Sequence, residues 1–365
     1  MQRPRRTTLK DVAAATGLSA ATVSYALRGL QVPLETQERV RAAAKDLGYE
    51  VNPIARALSS GRSGIVGVLS GSLADLWQQS LAVQLSRGLL AQQRYAIIAD
   101  ANGDPARERQ LAGQLRDQHV DGVLVSPLDP AADHWAELSA AVPVVTIGDA
   151  LATAPRAGCV LFDNRHGVFT ALSHLAQLGH RRVAVLTPSL PSTPDRPAGV
   201  FAQAQGQELG LDVVLVGSPA SVAGAAEAAA ELLTLNNRPT AMFCLSDSMA
   251  YGCYLAASRL DLSVPTDLSV LGYDDHEMAE LVVPALTTFS WDGSGIVDSA
   301  VTQLVRAIEK GGRRQPMTFR PSLQERGSTA PPPDPAQLAA PSRGRSSSAQ
   351  LTDTRRITPS RLKEY

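Results

Sequence analysis

From Gly64 onward, short apolar runs rich in β-branched residues alternate with amphipathic helical stretches, and this alternation restricts the fold more than any other feature of the 365-residue chain. The runs are Ile65–Leu69, Tyr95–Ala99, Val120–Val125, Val142–Ile147, Val183–Leu186, Val213–Val216, Ala241–Leu245 and Leu268–Leu271. Strands separated by helices pair in parallel and need cover on both faces, which predicts an α/β body. Eight buried strands over ~260 residues exceed one comfortable sheet. A break near Cys159–Asn164 divides them about equally. Two similar lobes with a cleft between them are therefore expected across residues 64–326.

The first 50 residues contain no strand pattern and read as short helices over Leu9–Ala15, Ser19–Leu27 and Leu34–Leu47, the last ending at Gly48. Leu9, Val12, Ala13, Leu18, Val23 and Leu27 face one another if two helices cross at a short turn, which is helix-turn-helix spacing. Gly17 suits a left-handed turn, and the Ser19 hydroxyl can cap the second helix. Ala20, Ala21 and Thr22 then occupy its exposed start, the part that enters a major groove. A three-helix structural cap with a solvated basic face fits this pattern equally well.

Charge distribution bears on that choice. The formal charge is −1, but residues 1–62 carry +5, residues 63–326 carry −9 and residues 327–365 carry +3. A basic terminal module suggests a polyanion partner. No apolar run approaches the ~20 residues of a membrane-spanning helix, and no signal-peptide core follows the basic start, so a cytoplasmic protein is expected. Cys159, Cys244 and Cys253 have no close-spaced pairing, which argues for reduced, buried thiols over disulfides or zinc. From Gly327 the Ala330-Pro331-Pro332-Pro333 and Ser346-Ser347-Ser348 stretches lack periodicity, so residues 327–365 are expected to form a disordered tail.

Thr8-Leu9-Lys10-Asp11-Val12-Ala13, Gly17-Leu18-Ser19, Thr22-Val23-Ser24, Gly48-Tyr49 and Asn52-Pro53-Ile54-Ala55-Arg56-Ala57-Leu58 together resemble the headpiece and hinge of the lactose-repressor (LacI/GalR) family of transcription regulators. The resemblance implies a DNA-binding headpiece over 1–50 and a hinge over 51–63. It makes Ala20, Ala21 and Tyr25 the base readers, gives Thr22 and Ser24 phosphates to hold, and adds Thr8, Ser19, Asn52 and Arg56 to the DNA-contacting set. Tyr25 departs from the usual arginine or histidine and offers one hydroxyl and a ring instead of a bidentate fork. A hinge helix of about two turns cannot sustain itself in water. By the resemblance, paired hinge helices form on DNA, Ala55 approaches the minor groove and Leu58 wedges into a base step. An ordinary packing leucine is the alternative for Leu58.

The resemblance continues to residue 326. Phe162-Asp163-Asn164 with Gly167, His174-Leu175 and Leu178-Gly179-His180-Arg181-Arg182 form one cluster; Asp247, Met249-Ala250, Gly252, Val264-Pro265, Asp267 through Asp275, Pro284 and Leu286-Thr287-Thr288 form another. They look like the family's effector domain, which is similar to periplasmic sugar-binding proteins. Ligands of open α/β lobes lie beyond the carboxyl ends of strands. Arg196 corresponds to an effector-contacting arginine, and Asp274, at a strand end, would accept sugar hydroxyls. Leu73, Asp75 and Trp77 lie on the first strand-to-helix loop, and Trp291 on a crossover segment could stack on a pyranose. Structural salt bridges or lobe-packing aromatics are the alternatives for these positions. Ser246-Asp247 stands where Asn-Asp is usual, Asp149 is one place past the usual aspartate at Gly148, and Pro219 stands for an aromatic. A sugar or sugar derivative is the effector class the resemblance implies first, with purines or other small metabolites as the alternatives.

Enzyme chemistry lacks its motifs: there is no Gly-x-Gly-x-x-Gly after a strand, no Gly-Lys-Ser/Thr phosphate cradle and no Gly-x-Ser-x-Gly. His119, His134, His166, His174, His180 and His276 fit no metal spacing, and His174 and His180 read as structural groups at helix ends. No cofactor or metal is expected. The reading is a homodimeric, ligand-responsive repressor binding palindromic operator DNA, with a cytoplasmic sugar receptor lacking DNA binding as the alternative. No tetramerising heptads occur in 327–365.

Overall fold

The structure is a computed structural model that describes residues 7–27, 29–49, 62–188, 197–311 and 315–334. Three helices form the N-terminal module: α1 (Leu9–Thr16), α2 (Ala20–Leu27) and α3 (Leu34–Asp46). Val12, Val23, Ala26, Val40 and Ala44 make a small closed core, one or two positions from each helix. Gly17 ends α1 in the left-handed conformation, at φ 68° and ψ 19°, where a β-carbon would be strained.

The first lobe is built from β1 (Ile65–Ser70), α4 (Leu76–Ala91), β2 (Tyr95–Asp100), α5 (Pro105–Asp117), β3 (Gly122–Ser126), α6 (His134–Ala141), β4 (Val144–Gly148) and β5 (Gly158–Phe162). Two later elements return to it, α11 (Gly293–Lys310) and β11 (Met317–Phe319). The six strands pair in parallel in the order β11-β5-β4-β3-β1-β2. Alternate residues of each strand face opposite sides, so each side needs its own apolar layer. Val66, Val68, Leu124 and Val145 pack with α4 and α11. Leu69, Val123, Val125 and Val144 pack with α5 and α6 around the fully buried Trp135.

The second lobe holds α7 (Asn164–Gln177), β6 (Arg182–Pro188), α8 (Pro197–Glu208), β7 (Asp212–Ser218), α9 (Val222–Leu233), β8 (Ala241–Cys244), α10 (Asp247–Arg259) and β9 (Ser269–Leu271). Its parallel sheet runs β7-β6-β8-β9. Val183, Val185 and Phe243 face α7 and α8, while Ala184, Leu186, Met242 and Cys244 face α9 and α10. Gly252 of α10 lies so near the Val222 carbonyl that a β-carbon would come to 2.6 Å, which is what lets these alanine-rich helices close together. Cys159, Cys244 and Cys253 form no disulfide, and the buried Cys244 and Cys253 thiols lie 3.5 Å apart.

The chain passes between the lobes more often than one midpoint break implies. Segment β10 (Thr288–Ser290) precedes the return to lobe one and pairs antiparallel with β12 (Ser322–Gln324), which follows it. The expectation of a tail starting at 327 is corrected, because residues 327–330 are strapped to lobe two. Ser328 is fully buried, its hydroxyl donates to the Val270 carbonyl (2.6 Å) and accepts from Thr287 N (2.7 Å), and the Val270 amide donates to Ser328 O (2.9 Å). Residues 335–365 lie outside the described residues.

Candidate nucleic-acid interface and effector cleft

At the N-terminal module, Asp11 accepts hydrogen bonds from the Thr8 amide (2.7 Å) and hydroxyl (2.8 Å), fixing the first turn of α1. The Ser19 hydroxyl accepts from Thr22 N at 3.1 Å and lies 2.8 Å from Thr22 Oγ1, which caps α2 as its sequence suggests. Because Val23 and Ala26 point into the core, the opposite face of α2 is left to solvent. Ala20 and Ala21 are exposed, Thr22 and Ser24 are partly so, and Tyr25 is 40% exposed. Of the expected readers, Ala20 and Ala21 lie at the open start of α2 and Tyr25 lies in its second turn. The hinge positions Asn52, Ala55, Arg56 and Leu58 lie outside the described residues.

Between the lobes of the body lies a cavity of about 810 Å³, lined from both sides and from the crossover. Of the expected effector residues, Asp75, Trp77, Asp149, Ser246, Asp274 and Trp291 all reach its wall, as does Pro219. Arg196 lies outside the described residues. Leu73 is corrected: its side chain packs against the lobe-one core and its amide donates to Asp100 Oδ1 at 3.0 Å, so it does not line the cavity. The β1–α4 loop turns that residue inward to close the core; Asp75 caps α4 and Trp77, expected on the loop, is in the first turn of that helix, and both face the cleft.

Aromatic rings form a continuous wall. Trp77 meets Phe162 edge to face at 5.5 Å, Phe162 lies 4.6 Å from Trp291, and Trp291 lies 5.6 Å from Tyr273. The Trp291 indole N–H donates to the Tyr273 carbonyl at 2.9 Å, which ties the crossover to lobe two. Such faces suit the apolar face of a sugar ring, while the carboxylates around them suit its hydroxyls. Arg165 and Phe201 also line the cavity, as do Phe162 and Tyr273, which the sequence marks as motif positions but not as ligand-facing ones. Phe162 ends β5, so the rule that ligands lie beyond strand ends would have found it had β5 been recognised.

The carboxylates divide into a scaffold and a face. Asp247, almost fully buried, accepts from the amides of Tyr273 (2.9 Å), Asp274 (3.3 Å) and His276 (2.8 Å) and from the Thr288 hydroxyl (2.6 Å). It shapes the loop after β9 and aims Asp274 at the cleft. Gly272 is required there, since a β-carbon would collide with the Asp247 carboxylate. Asp274 Oδ2 accepts from Asp247 N at 3.1 Å. Burial pushes the Asp274 carboxyl well above the usual range, and the charges of Asp75 and Asp247 add to the rise.

Asp75 and Ser246 cap the helices that meet across the cleft. The Asp75 carboxylate accepts from Gln78 N at 3.0 Å and the Ser246 hydroxyl from Met249 N at 3.3 Å. Burial raises the Asp75 carboxyl as well. The Leu76 amide donates to Ser248 Oγ at 2.9 Å, a direct bond between lobes at the starts of α4 and α10. Among the described residues no His, Cys, Asp and Glu group is arranged to hold a metal ion, and no helix is long and apolar enough to cross a membrane.

Residues 8–52 match the model for bacterial regulatory proteins of the lacI family, and residues 172–329 match that of a periplasmic binding protein-like domain. The chain is 33% identical over 344 residues to the transcriptional regulator MalR of Streptomyces coelicolor, covering 90% of this chain and 98% of that protein. It is 29% identical over 306 residues to the ribose operon repressor of Haemophilus influenzae, covering 83% and 92%. It is also 29% identical over 338 residues to the HTH-type transcriptional repressor PurR of Klebsiella pneumoniae, covering 89% and 98%. Solved structures resemble it as well. The lac repressor dimer bound to operator and the anti-inducer ONPF has a TM-score of 0.76 at 24% identity, covering 89% of this chain and all of that one, a likeness of fold. The regulator CelR in complex with cellobiose has a TM-score of 0.62 at 25% identity, covering 88% and 100%.

Proposed function

Since the chain belongs to the lacI family of bacterial regulatory proteins, we propose that it is a sequence-specific repressor that binds a palindromic operator as a homodimer and whose affinity is set by a sugar or sugar derivative held between its lobes. The observation that carries this reading is the union, in one chain, of a capped α2 presenting Ala20, Ala21 and Tyr25 with a two-lobed cleft of about 810 Å³ walled by aromatics and carboxylates. Relatives of the chain are a ribose operon repressor, the transcriptional repressor PurR and the transcriptional regulator MalR, and no catalytic constellation is needed for that role. Such a protein works in the cytoplasm, where the DNA is.

A second copy would cover surface that a monomer leaves open. Edge strand β2 turns Tyr95 (70% exposed) and Ile98 (42%) outward, and its neighbour α4 exposes Leu90 (57%). Exposed apolar residues on a sheet edge favour association with another copy. In the dimer, two headpieces meet two half-sites, which is why the operator is a palindrome. Ligand binding changes the angle between lobes across the Leu76–Ser248 contact, and a coupling of ~1–3 kcal/mol changes operator affinity about 5–150-fold.

The test is selection of duplexes from a random-sequence pool by the full chain, followed by affinity measurement at several salt concentrations. Enrichment of a palindrome, with affinity falling steeply as salt rises, supports the reading. Recovery of no preferred sequence, with sugar binding intact in a thermal-shift screen, favours the sugar receptor instead.

A further inference from the structure

The segment leading from the headpiece enters lobe one at Arg62, Ser63 and Gly64, and a single carboxylate receives it. Asp121, just before β3, accepts from Ser63 N at 2.6 Å and from the Ser63 hydroxyl at 2.9 Å through Oδ1. Through Oδ2 it accepts from Gly64 N at 3.0 Å and from Arg94 Nη1 at 3.0 Å. Arg94 is itself nearly buried and spends its other terminal nitrogen on Glu309, 3.4 Å away near the end of α11. Arg62 donates to the Ile308 carbonyl at 2.9 Å, among the last carbonyls of the same helix. The root of the hinge is thus bound to lobe one by side chains in addition to the β1 ladder.

The far end of α11 is at the cleft. The helix begins at Gly293, two residues after Trp291, whose ring lines the cavity and whose N–H is bound to lobe two. Its 18 residues span about 27 Å as a rigid rod. One element therefore touches the ligand cavity at its start and the hinge root at its end.

We propose that Asp121, held by Arg94, is the clamp that positions the hinge root Ser63–Gly64 for DNA binding, and that α11 carries the state of the cleft to this clamp. The inference rests on the DNA-binding reading above. Asp121 is here a positioning residue that touches no nucleic acid. Its sign is diagnostic. Removing a negative charge from a DNA-binding protein tightens binding if electrostatics alone act, whereas loss of the clamp weakens it.

The experiment uses the full chain and the duplex that the wild type enriches from a random pool. Asp121→Asn is isosteric but turns an amide N–H toward donors that need an acceptor; it is expected to raise the Kd about 10-fold while the slope of log affinity on log salt stays the same. Ser63→Ala, which removes only the hydroxyl arm, is expected to raise it about 3-fold. Sugar-induced thermal shifts should be unchanged in both, since neither residue lines the cleft. Unchanged or tighter binding by Asp121→Asn overturns the clamp. If that variant does not fold, Ser63→Ala decides, and wild-type affinity in it overturns the clamp. Should the wild type enrich no duplex at all, the DNA-binding reading fails and the clamp fails with it.

Discussion

His180 offers a test of lobe two in which the sign and size follow from the geometry. It is fully buried where α7 hands over to β6. Its Nε2 lies 3.0 Å from the Ala330 carbonyl and its Nδ1 lies 2.8 Å from the Thr240 hydroxyl. A carbonyl only accepts, so Nε2 carries the proton and neutral Nδ1 accepts from Thr240. Burial lowers the imidazole from 6.5 to about 4; the bond to Ala330 opposes the fall and the neighbouring His174 adds to it. Below pH 6.5 the unfolded chain takes up a proton that the folded chain refuses, so this contribution is complete above 6.5 and is lost as pH falls toward 4. At about 1.4 kcal/mol per pH unit the loss reaches about 3 kcal/mol. Asp75, Asp247 and Asp274, whose carboxyls desolvation raises, act in the opposite sense over acidic pH, so a difference between two proteins is the proper readout. Urea unfolding of the wild type and His180→Gln between pH 7 and pH 4.5 should show the wild type losing up to about 3 kcal/mol more than the variant. Parallel pH profiles would refute the buried neutral imidazole.

Asp247→Ala leaves three amides and a hydroxyl without an acceptor; it should cost about 3–5 kcal/mol of stability and abolish sugar-induced thermal shifts. Asp247→Asn, which can keep the Oδ1 bonds, should cost about 1–3 kcal/mol in the same melts. Gly17→Ala meets no atom within 4 Å, so its cost is backbone strain alone, about 1 kcal/mol, read as earlier melting of the headpiece. Tyr25→Ala should relax preference at one operator base by about 1–3 kcal/mol in competition assays across single-base variants, without changing the salt slope.

The parallel body and the helix-turn-helix were legible because both are written in local pattern: Val66 and Val68 against Leu69 declare two buried faces, and Gly17 and Ser19 mark a turn and a cap. The missed elements draw on no local pattern. Strand β5 is five residues beside the polar Asp163-Asn164, and its place in the sheet is set by β4 and β11 on either side. β10, β11 and β12 are three residues each and exist through pairing with distant chain. The strap at 327–330 is held by the Ser328 hydroxyl and by the Ala330 carbonyl, which leave no hydropathy signal. In the cleft, acidic and aromatic loop residues were readable as ligand-facing types, but the inward turn of Leu73 and the scaffold role of Asp247 depend on which lobe wall each meets.

The central claim is that the cleft governs the headpiece. The most direct measurement is the affinity of the full chain for its enriched duplex with and without the sugar that gives the largest thermal shift, at fixed salt. Affinity should change by at least about 5-fold, and by less in Asp121→Asn. Equal affinities at saturating sugar would contradict it.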